Sequence, residues 1–114
     1  MRALCLIAAA VLVFALFALG GKPYAGSLFP VPWDKLAHVS VYAALAVLLW
    51  LGTGGRTPLG VAAAVLAVGL LDELHQAALP GRSADLGDFF ADACGIGVAF
   101  FLLRAKKTAP KGKP

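Results

Sequence analysis

The chain has 114 residues, 61% of them hydrophobic and 14% charged, with a mean hydropathy of +0.85 and a formal net charge of +4. A water-soluble domain carries about 25% charged residues, so this composition excludes an ordinary soluble core and describes one multi-pass membrane domain. Nucleic-acid binding is excluded as well: half of the basic residues, Arg104, Lys106, Lys107, Lys111 and Lys113, crowd the C-terminus, with no basic face interleaved with aromatics.

Four apolar segments follow in chain order, over residues 4–20, 34–51, 58–79 and 86–103. Each is near the about 20 residues that a helix rising about 1.5 Å per residue needs to cross about 30 Å of hydrocarbon. Four spans cannot close a β-barrel, and an open sheet edge in lipid leaves backbone groups unpaired, so the expected fold is an all-α, four-helix transmembrane bundle. The first segment, opened by Met1 and Arg2, has the form of a secretory signal. The small residues near Gly20 and Ala25 make a poor cleavage site, which favours a retained anchor. Gly20, Gly21 and Pro23 end it, and Pro30 and Pro32 precede the second segment. Gly52, Gly54, Gly55 and Pro58 divide the second from the third, and Pro80 and Gly81 follow the third. The expected domain covers residues 1–105, with a disordered basic tail over 106–114. Cys5 and Cys94 lie in apolar runs without ligand spacing and read as small packing residues.

An even number of spans puts both termini on one side. That side holds Arg2, Arg56 and the five basic residues of the tail, against Lys22, Lys35 and Arg82 on the other. The excess of Lys and Arg assigns both termini to the cytoplasm.

With that orientation, the polar residues of the spans converge on the extracytoplasmic end. Asp34, Lys35 and His38 open the second span, with Tyr42 one turn further in. Asp72, Glu73, His75 and Gln76 close the third, Arg82 and Asp85 lie in the loop beyond, and Asp88 and Asp92 open the fourth. Helical spacing gathers Asp34, Lys35, His38 and Tyr42 within an arc of about 100°, and Asp85, Asp88 and Asp92 within about 60°. Gly87, Ala91, Gly95 and Ala99 repeat every four residues, a spacing that lets membrane helices approach closely. The second, third and fourth helices are therefore expected to aim these stripes at one another, with the first as an apolar support. Ionisable groups in membrane segments are costly and mark functional sites by default. Six carboxylates against so few cations require protonation, a bound cation or water.

These residues fall in an ordered pattern. Asp34-Lys35-x-x-His38-x-x-x-Tyr42, then Asp72-Glu73-x-x-Gln76, then Pro80-Gly81-Arg82-Ser83 and Asp88-Phe89-Phe90-Ala91-Asp92-x-x-Gly95 resemble the signatures of VanZ-like membrane proteins. The resemblance runs from about Trp33 to Ala99. It implies a small integral membrane protein of the bacterial cell envelope. The family takes its name from a protein associated with low-level resistance to teicoplanin, and no settled biochemical activity comes with it. Many relatives carry Asn where this chain has Asp92, which adds a negative charge here.

Four functions are compatible with this pattern. The leading one is a site on the outer face for an anionic, lipid-linked envelope ligand such as a cell-wall precursor. It would be built from Asp34, Lys35, His38, Tyr42, Asp72, Glu73, Gln76, Arg82, Asp85, Asp88 and Asp92, with Lys35 and Arg82 on the anion. The second is acid–base or metal-assisted hydrolysis or transfer on a lipid, with Asp72, Glu73, His38 and Asp88 as catalytic candidates. No complete catalytic motif supports it, and with no His-Glu-x-x-His spacing the sequence assigns neither metal nor cofactor. A proton or cation pathway is the third, weakened by apolar inner halves in every span. The fourth is an accessory subunit in which the charges are structural. Each residue also has a plainer role: an N-cap for Asp34, a snorkelling stem for Lys35, an ion pair from Asp72 or Glu73 to Arg82 or Lys35, packing or interfacial contact for Tyr42 and Trp33, and head-group contact for His75.

Overall fold

The computed structural model describes residues 1–20, 33–78 and 86–108. Arg82 and Asp85 lie outside these, as does the side chain of Asp34. The described residues form four helices: α1 (Arg2–Gly20), α2 (Trp33–Gly52), α3 (Pro58–Ala77) and α4 (Leu86–Thr108). All four are long and apolar enough to cross a membrane, as the segment lengths predict. The expected basic tail begins inside α4, which continues to Thr108 rather than stopping near 103. Arg104, Lys106 and Lys107 favour helix, and positive charge at a helix C-terminus is stabilised by the dipole, so the charge boundary is not the helix boundary.

The link between α2 and α3 shows local sequence setting local structure. Gly54 and Gly55 have φ of 73° and 72°, a region other residues rarely adopt. Gly55 N–H donates to the Trp50 carbonyl and Gly54 N–H to the Leu51 carbonyl, the Schellman pattern that caps a helix with glycine. Pro58 then opens α3 at its first turn, where no amide proton is needed.

α2 is the centre of the bundle. It packs most extensively on α4, and also on α1 and α3, while α1 touches α2 and α3 but not α4 among the described residues. α2 and α4 run parallel: Lys35 meets Asp88, His38 meets Asp92, and Trp50 meets Phe100 further down. They approach closely at Gly95, where a Cβ would stand 2.6 Å from the Val39 carbonyl oxygen and 2.9 Å from the Ala43 nitrogen. The small-residue stripe thus lies in the α2–α4 contact, with Ala91 and Ala99 buried beside Gly95. Gly52 does the same between α2 and α1, where a Cβ would meet the Leu6 side chain at 2.6 Å.

Burial is inverted relative to a soluble protein. Phe14, Leu59, Leu86, Phe90 and Phe101 are exposed on the outside, whereas Asp72, Glu73, Gln76, Asp88 and Asp92 are buried. In water such an apolar surface would drive aggregation; in hydrocarbon it is matched to its solvent. Ser40, on the outside, donates its hydroxyl to the Leu36 carbonyl one turn back, which satisfies it without water. The lower core is apolar throughout: Leu45, Ala46, Val61, Val65, Ile96 and Ala99.

Candidate functional site

The polar residues gather at one end of the bundle, where α2 and α4 begin and α3 ends. Lys35 sits at the rim, and its Nζ donates to Asp88 Oδ1 at 2.5 Å. One turn deeper, His38 Nδ1 donates to Asp92 Oδ1 at 2.7 Å, while its Nε2 stands 3.7 Å from Asp88 Oδ2. His38 therefore lies between two carboxylates of α4. One turn deeper again, the Tyr42 hydroxyl donates to Asp72 Oδ2 at 3.2 Å and so ties α2 to α3. The His38 and Tyr42 rings stack parallel with centroids 6.1 Å apart. Glu73 is buried beside His38 and Asp92, and Gln76 is buried on the same helix, α3.

Accessibility falls along the same line. The side chains of Lys35, His38, Asp88 and Asp92 are 31%, 19%, 12% and 0% exposed. The site is thus a shaft of polar side chains, exposed at its Lys35 rim and buried at Tyr42, with the apolar core below. A polar route across the bundle is absent among the described residues. Asp92 Oδ2 has no hydrogen-bond partner there. Leaving a buried acceptor unsatisfied costs about 1–3 kcal/mol, more for a charged group. It is accommodated by Gly69 on α3, where a Cβ would stand 2.8 Å from that same oxygen.

Sequence spacing placed Lys35, His38, Tyr42, Asp72, Glu73, Gln76, Asp88 and Asp92 in one pocket; the structure brings seven of these together and buries Gln76 on α3. Among the described pairings, Lys35 bonds Asp88, and Asp72 takes a hydrogen bond from Tyr42. Tyr42 is fully buried and is not an interfacial aromatic, because one turn beyond His38 its hydroxyl reaches α3; Trp33 is exposed. His75 stands apart from the pocket: its ring lies 5.6 Å from Phe17 of α1, where the helix phase turns it away from Asp72. Gly69 escaped the sequence reading. Its signal was a lone glycine inside an apolar helix one turn before the Asp72-Glu73 pair, which marks a close approach.

Chemically, the described pocket holds four carboxylates against one lysine and one histidine. His38, with one ring nitrogen held by a buried carboxylate, has the arrangement of an oriented proton donor or metal ligand. One ligating atom from each of His38, Glu73 and Asp92 lies within 4.8 Å of the others.

A bundle of four helices, each long and apolar enough to cross a membrane, with buried charged residues at one end, has the build of a membrane protein with a polar end-site. The VanZ/LLP1 family profile matches residues 7–107, and the chain belongs to that family. The match extends into all four helices, including most of α1, which lay outside the motifs. No curated protein and no solved structure matches the chain.

Proposed function

We propose that this chain is a multi-pass protein of a bacterial cytoplasmic membrane, both termini inside, whose end-site engages the polar head group of an anionic envelope lipid from the outer face. The observation that carries this reading is the exposure gradient from Lys35 down to Asp92. It gives the charged residues an entrance at the level of head groups and no exit through the core. Orientation is supported by the separation of charge: Arg2 lies against Gly54 at the opposite end, the end to which Arg56 and Arg104 also belong. Lys35, together with Arg82, which follows α3 in the sequence, would take the phosphate, and the carboxylates would accept hydroxyl or amine protons of the head group. A lipid-linked cell-wall precursor has this chemistry, and its capture would connect the protein to glycopeptide tolerance. Other envelope lipids share the same phosphate.

A second reading uses the same head group as a substrate. It is favoured by the His38–Asp92 pair, in which a buried carboxylate orients an imidazole as in general acid–base catalysis.

Native mass spectrometry of the protein in mild detergent tests the first reading. Retention of an anionic lipid, lost in Lys35→Gln and Arg82→Gln, is the expected outcome. A protein that retains no lipid, or retains neutral and anionic lipids equally, overturns it. Incubation with a polyprenyl phosphate separates the readings, since phosphate release that disappears in His38→Gln marks catalysis.

A further inference from the structure

The least explained feature of the shaft is its floor. Asp92 is fully buried, accepts from His38 through Oδ1, and leaves Oδ2, which packs against Gly69, with no hydrogen-bond partner among the described residues. A buried carboxylate oxygen in that state requires a proton or a cation. His38 and Glu73 supply two more donors beside it, on α2 and α3, so that three helices contribute one ligating residue each. We propose that His38, Glu73 and Asp92 bind a divalent transition-metal cation of the zinc or manganese class.

The donor set decides the class. Calcium and magnesium prefer all-oxygen shells, whereas an imidazole nitrogen with two carboxylate oxygens suits zinc or manganese. The spacing is close to what an ion requires: donors at about 2.1 Å on opposite sides of an ion stand about 4.2 Å apart, so the 4.8 Å set closes by small carboxylate rotations. Three protein donors leave further coordination positions open toward the His38 and Lys35 entrance, as in metal sites that take water or an oxyanion. Two charges added here would offset the excess of carboxylates, and Asp88 and Asp72 remain as outer partners of the histidine and the tyrosine. No helix carries more than one of the three ligands, which is why no motif spacing reveals the site. Ion binding is independent of which head group, if any, the pocket engages.

The test uses full-length protein in detergent, with any affinity tag removed, stripped with chelator, incubated with zinc and desalted. Elemental analysis should find about one zinc per chain, with magnesium at least about tenfold less retained. Cobalt substitution should give a visible d–d absorption that changes in His38→Gln. Glu73→Gln and Asp92→Asn together, with helicity checked by circular dichroism, should remove retention. Wild-type protein that holds less than about a fifth of an equivalent of both zinc and manganese overturns the proposal. So does retention that persists unchanged in the folded double variant.

Discussion

His38 on α2 and Asp92 on α4 share a 2.7 Å hydrogen bond at the depth where the shaft closes to solvent. Breaking a buried pair from one side leaves a charge without compensation, at about 3–5 kcal/mol, whereas removing both partners is often neutral. His38→Leu should therefore lower the thermal midpoint in detergent sharply. Adding Asp92→Leu to His38→Leu should recover most of that loss. A double variant as unstable as the sum of its singles would show that the two side chains are not coupled.

The α2–α4 contact depends on the missing side chain at position 95. Gly95→Ala places a methyl 2.6 Å from the Val39 carbonyl and should cost about 1–3 kcal/mol through forced separation of the helices. Gly97, with open space around it, is the control, since Gly97→Ala should gain up to about 1 kcal/mol from helix propensity. Unfolding curves of the two variants should move in opposite directions.

Tyr42→Phe keeps the ring and its stacking on His38 but removes the donor to Asp72. The buried Asp72 then loses that hydrogen bond, at a cost of about 1–3 kcal/mol. Trp33→Phe, at an exposed position, should leave the unfolding midpoint within about 0.5 kcal/mol of wild type. Equal effects of the two substitutions would contradict the buried bond.

The rim pair should behave differently. Lys35 is partly exposed but Asp88 is buried, with His38 Nε2 still 3.7 Å away, so Lys35→Gln should cost about 1–3 kcal/mol, less than breaking the His38–Asp92 pair. Its larger effect belongs to ligand retention, where loss of bound anionic lipid is expected in a variant that still folds.

Orientation can be read by thiol labelling. In a background with Cys5 and Cys94 replaced by serine, Thr57→Cys lies at the α2–α3 link and Gly26→Cys falls between α1 and α2 in the sequence. A membrane-impermeant maleimide added to intact cells should label Cys at 26 and spare Cys at 57. The reverse pattern would put the charged shaft in the cytoplasm.

The four spans, their boundaries within a few residues and the end at which charge collects were legible in the sequence. Helix periodicity, Gly and Pro breaks and hydrophobic length are local properties, and hydrocarbon leaves the backbone few alternatives to helix. The helical phase of Lys35, His38, Tyr42, Asp88 and Asp92 was local too, so the stripes themselves could be drawn. Which stripe residue meets which could not. Pairing depends on the relative height of helices, and that is decided by the close approach at Gly95 and by the notch at Gly69, both set by packing between segments distant in the chain. The same holds for the grouping of His38, Glu73 and Asp92. Each lies on a different helix, so only the assembled bundle brings their donor atoms together.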